Sequence, residues 1–95
     1  MDVGLRYIPV TVPQTFGVGG TALGLTVPTG ATYAICSIET SGVRFRDDGI
    51  APNGSVGVLL PVGTLFEYSG NLAGIQFIAA TGPAVINVAF YKVAG

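Results

Sequence analysis

Glycine and proline punctuate this chain at short intervals, and that spacing restricts its fold more than any other feature. Fifteen Gly and six Pro stand among 95 residues, a density that suits turns far better than helices. Between them lie short runs of apolar, β-branched and aromatic residues, the pattern of strands bounded by turns. Eight such runs are predicted as strands: residues 5–12, 21–27, 32–40, 43–46, 56–60, 65–68, 75–79 and 85–93. About eight short antiparallel strands in one domain of this length imply an all-β fold, a β-sandwich or jelly-roll-like barrel. Residues 1–95 read as that single domain, with 1–20 forming either an extended arm or an edge strand, since Pro9 and Pro13 are tolerated at edges.

Turn chemistry supports the divisions. Pro28-Thr29-Gly30 supplies a fixed φ followed by a permissive one. Ser41-Gly42 is expected to make a tight two-residue reversal between neighbouring runs. Asp47-Asp48-Gly49, Asn53-Gly54, Pro61-Val62-Gly63 and Thr81-Gly82-Pro83 mark further loops, and Gly17-Val18-Gly19-Gly20 reads as flexible backbone. Side-chain alternation then sorts the faces. Val43 and Phe45 oppose Arg44 and Arg46, a two-faced strand. Around residue 77, Ile75 and Phe77 oppose Gln76 and Ile78, and in the last run Val85, Ala89, Tyr91 and Val93 oppose Ile86, Val88 and Phe90. Both faces of these two runs are largely apolar, so Ile78 and Phe90 are expected to lie against another subunit.

Charge is the second anomaly. Only 9% of residues are charged, against about 25% in an ordinary soluble domain. Residues 7–38 and 68–91 carry no charge at all. A solitary protein normally scatters charge over its surface, so a contiguous weakly polar patch, the mark of an interface, is expected. A net charge of −1 with four basic residues gives no phosphate-tracking stripe, so no nucleic-acid partner is expected. No apolar run reaches a membrane span, and the first residues lack a basic then apolar leader. Synthesis in a reducing cytoplasm fits the single cysteine, Cys36.

The chemistry-bearing residues are few. With no His and one Cys, zinc or iron–sulfur binding by this chain is not expected, and Asp47 with Asp48 falls short of a calcium loop. Cys36, between Ile35 and Ser37, reads as a small buried hydrophobe. No histidine serves it, or any serine, as a base. Paired carboxylates among Glu39, Asp47, Asp48 and Glu67 would need a cleft that a small sandwich rarely builds. No catalytic residue, metal or cofactor is therefore expected. The one charge-rich locus is Arg44-Phe45-Arg46-Asp47-Asp48. It reads either as a solvated strand end with local ion pairs or as a lock that sets register at a subunit boundary; the lock is the favoured reading of Arg44, Arg46, Asp47 and Asp48.

Several motifs carry a resemblance. Gly30-Ala31-Thr32-Tyr33-Ala34-Ile35, then Val43-Arg44-Phe45-Arg46-Asp47-Asp48-Gly49 with Pro52, then Tyr68-Ser69-Gly70 and Ile75-Gln76-Phe77-Ile78 resemble small virion proteins of tailed bacteriophages. The similarity runs from about residue 30 to 91 and assigns no catalytic residues. It implies a capsid decoration or cement subunit: a β-rich homotrimer seated on the major capsid protein at the virion surface. A tail, baseplate or adaptor component is the alternative within a particle. A carbohydrate-binding sandwich on a fibre is the alternative from another class, with Tyr7, Tyr33, Tyr68 and Tyr91 as its candidate aromatics.

Overall fold

The computed structural model of the chain describes residues 6–94, and all regular structure among them is β. Nine strands are present: β1 (Arg6–Pro9), β2 (Gln14–Val18), β3 (Leu23–Gly24), β4 (Tyr33–Glu39), β5 (Val43–Arg46), β6 (Val58–Leu60), β7 (Leu65–Tyr68), β8 (Gln76–Ala79) and β9 (Ala84–Ala94). They form two antiparallel sheets, one ordered β1-β9-β4-β7 with β2 also on β9, the other ordered β3-β8-β5-β6. The pairs are nested: β2 with β9, β3 with β8, β4 with β7, and β5 with β6. Successive nested pairs alternate between the sheets. A four-strand-out, four-strand-back ribbon folded over in this way is a jelly roll. The all-β sandwich expected from the punctuation is what the chain forms.

The core lies between the sheets, and period-2 alternation builds it. On β4, Ala34, Cys36 and Ile38 point inward and are buried, while Tyr33, Ile35 and Ser37 point out. On β9 the buried set is Ala84, Ile86, Val88 and Phe90. The second sheet contributes Val43, Leu60 and Phe77, with Ile75 just ahead of β8. Phe45 bridges the layers, its ring 4.8 Å from Phe66 and 6.3 Å from Phe77. Each large apolar side chain enclosed here stabilises the fold by roughly 1.5–3 kcal/mol.

Three expectations are corrected and one open alternative is decided. Phe90 faces no subunit boundary: it is 0% exposed, because the inner parity of β9 is the one that carries it. Ile78 is also enclosed, at 7% exposed. It sits on a central strand between β3 and β5, opposite Arg44 in the ladder. Ser41-Gly42 makes no hairpin, because β4 and β5 belong to different sheets. The connection is an arch, with Thr40 at φ 74°, a conformation that a β-branched residue adopts only under strain. Ser41 pins the arch, its Oγ lying 2.6 Å from the Pro83 carbonyl and 3.0 Å from that of Gly82. Finally, residues 6–18 form no projecting arm, since β1 and β2 both pair along β9. Residues 1–5, the rest of the expected arm and the start of the first expected strand, lie outside the described residues.

Candidate functional site

Three surfaces carry the chain's chemistry. The first is the charged turn after β5, and its groups find partners within the chain. Arg46 binds Asp48 through two hydrogen bonds, Nε to Oδ1 at 3.0 Å and Nη2 to Oδ2 at 2.5 Å. The guanidinium hydrogen bond holds the Asp48 carboxyl below its ordinary 3.8. Asp47 accepts from the Tyr68 hydroxyl at 2.7 Å, and that hydroxyl accepts from the Asn71 backbone N–H at 2.9 Å. The β5–β6 loop is thereby tied to the β7–β8 loop. Arg44 donates to the Gly57 carbonyl at 3.0 Å, while its buried Nε has no partner among the described residues. Gly57 itself has φ +139° and is hemmed in by Arg44 Cβ, the Phe45 carbonyl and Pro52 Cβ, so no other residue fits there without displacing them.

Phe45, Arg46, Asp47, Asp48, Val56, Gly57 and Val58 enclose an open pocket of about 370 Å3 beside this turn. Val56 and Val58 belong equally to the second surface. β6 and β7 are the end strands of their respective sheets, joined by only four residues, 61–64, so they lie on the same side of the sandwich. Val56, Val58, Leu59, Val62 and Leu65 are all exposed along it, Leu65 at 65%. Half of the ten large hydrophobics exposed among the described residues fall within this ten-residue stretch. Both strands also present unpaired backbone groups on their outward sides.

The third surface is the outer face of the β1-β9-β4-β7 sheet. Tyr33 stands opposite Tyr91, Ser37 opposite Asn87, and Ile35 between Ala89 and Glu67. Tyr33 donates to Glu67 Oε1 at 2.5 Å. That hydrogen bond, with some burial and the Glu67 charge, pushes the Tyr33 phenol up to about 12. Farther along, Thr15 donates to Asn87 Oδ1, Asn87 donates to Glu39 Oε2 at 2.7 Å, and Ser37 donates to the same oxygen at 3.0 Å.

No family model, curated protein or solved structure matches the chain. Its own surfaces must carry the functional argument. Of the six expected interface residues, the structure gathers Arg46, Asp47 and Asp48 at the pocket beside β6, ties Arg44 to Gly57 on the wall of that pocket, buries Phe90 in the core and encloses Ile78 beside Arg44, outside the core cluster. The exposed stretch 56–65 escaped the sequence reading. Its signal was present as 18 residues, 49–66, without a charge, but strand order was needed to show that both strands lie at sheet ends. Cys36 is buried as expected, and burial pushes its thiol up to about 12.

Proposed function

We propose that this chain is a non-enzymatic assembly subunit that associates through its β6–β7 side, and that it serves as a decoration or cement protein on a phage capsid. The observation that supports association is the run of exposed Val56, Val58, Leu59, Val62 and Leu65 along two bare sheet edges. Water contact at such a stretch costs free energy that burial against a second copy recovers. Edge strands add backbone hydrogen bonding to the contact and so fix its register. The charged turn borders this side, and Arg46 with Asp48 forms a rigid bidentate pair there, suited to selecting the partner's orientation more than to adding affinity.

The phage setting is supported by the motif resemblance around residues 43–49 and by a jelly-roll topology, an architecture that recurs in viral capsid and lectin domains. The fold by itself assigns no function. The test is light scattering of the purified protein over a wide dilution range, followed by co-sedimentation with phage heads. Association as a homotrimer and saturable head binding are expected. A mass of one chain at every concentration would remove the association, and binding in only a few copies per particle would favour a tail or adaptor role.

A further inference from the structure

The outer face of the larger sheet differs in chemistry from the β6–β7 side. Tyr7 on β1, Tyr33 on β4 and Tyr91 on β9 meet there although they are far apart in sequence. Ring centroids are 4.5 Å apart for Tyr7–Tyr33 and 5.9 Å for Tyr33–Tyr91. The rings meet tilted, by 30° for Tyr7–Tyr33 and 51° for Tyr33–Tyr91, and so make a stepped aromatic platform with no space between them to cage a cation. Tyr7 is 46% exposed and the other two are half-buried, so the platform is open to water.

Beside the platform runs a strip of hydrogen-bonding groups. Glu67 borders Tyr33, and the relay Thr15–Asn87–Glu39–Ser37 crosses β2, β9 and β4 on the same face. From Tyr33 to Glu39 the strip extends about 20 Å at the usual strand rise. Arg46–Asp48 is the one ion pair among the described residues, so Glu39 and Glu67 hold their charge with neutral donors only. An apolar partner covering this face would strand two carboxylates away from water without a compensating charge. An anion would be repelled. A ligand rich in hydroxyls would instead donate to the free carboxylate lone pairs and exchange hydrogen bonds with Asn87, Ser37 and Thr15.

We propose that this face binds a neutral oligosaccharide, with C–H faces of its sugar rings lying on Tyr7, Tyr33 and Tyr91 and its hydroxyls bonded to Glu67, Asn87 and Glu39. Aromatic rings with polar tips suit a ligand that is apolar on one face and wet at its edges. The site adjoins the β6–β7 side, with Leu65 and Glu67 sharing the outer face of β7, and a trimer would present three copies and gain avidity on a glycan-coated surface.

The experiment is a printed glycan array probed with the labelled protein, followed by titration of the strongest hit and of hexa-lysine. Because the chain has no Trp and three of its four Tyr stand in this platform, its intrinsic fluorescence reports largely on the platform. A saturable response to glycans that share a backbone is expected, unchanged in high salt. Tyr91→Ala should weaken it at least tenfold, and Glu67→Gln, which keeps every ring, at least threefold. Leu59→Lys, on β6 of the other sheet, should leave it intact even where it abolishes association. An empty array would overturn the proposal, as would hits that survive both Tyr91→Ala and Glu67→Gln. Salt-sensitive binding of hexa-lysine with no glycan response would assign the face to a basic peptide instead.

Discussion

The two sides of the sandwich are finished in opposite ways. On one side β1 and β2 run along β9 as a single interrupted edge. Pro9 stands opposite Tyr91 and Gln14 opposite Val88, so four residues, 10–13, face only two, Ala89 and Phe90. That bulge carries Pro13, and Pro9 lies just ahead of it. Beyond β2 the Gly19 carbonyl accepts from the Ala79 N–H at 2.9 Å, sealing the corner where the chain crosses to the other sheet. Prolines and bulges are standard obstacles to a further strand. On the other side, β6 and β7 have no proline or bulge within the strands, a single charge in Glu67, and Leu59 and Leu65 exposed. One side is guarded against pairing and the other is left available. Apolar side chains are exposed on both sides, Tyr7, Ile8 and Val12 on the first, so what separates the two is access to the strand backbone.

The interior sets the scale for testing that contrast. Phe90→Ala is expected to cost about 3–5 kcal/mol, measured by urea unfolding, with the associated mass unchanged wherever the protein remains folded. Next is the double variant Leu59→Lys with Leu65→Lys. It should convert the oligomer to single chains in sedimentation, with little change in chemical stability, whereas Thr11→Lys on the guarded side should change neither.

A smaller effect is expected at the charged turn. Arg46→Ala should weaken association several-fold while the thermal midpoint hardly moves; equal losses in both would reduce the residue to a fold stabiliser. The same substitution should raise the Asp48 carboxyl toward its ordinary 3.8. Because Asp48 is held low in the folded protein, the pair's contribution is present above that value and fades as pH falls through the folded one. NMR titration of the Asp48 carboxyl checks this. Smallest is Glu67→Gln, which should bring the Tyr33 phenol from about 12 back toward 10.0 in a titration followed by ultraviolet absorbance. A raised phenol stabilises the fold below pH 10 and loses that effect as pH rises through 12, so the variant should lose less stability than the parent between pH 10 and 12.

Much of the architecture was legible because local signals agreed. The alternation of Val43 and Phe45 against Arg44 and Arg46 survives intact in β5, and the run 65–68 is β7. Legibility fails where a residue's place depends on distant pairing. β9 is apolar on both parities, and only the opposing sheet decides that Phe90 points inward and Tyr91 outward. β2 contains Gly17, a poor strand former, and exists because β9 offers it a partner. Ser41-Gly42 has the composition of a hairpin turn, but nothing local says that the next strand joins the other sheet. The tyrosine platform depends on register alone, Tyr33 against Tyr91 and Tyr7 against Val93.

The sharpest test of the unequal sides is hydrogen exchange at increasing protein concentration. Outward amides of β6 and β7 should gain protection as concentration rises, while those of β1 and β2 stay unchanged. Protection that is independent of concentration on both sides, or that grows along β1 and β2 instead, would contradict association through the β6–β7 side.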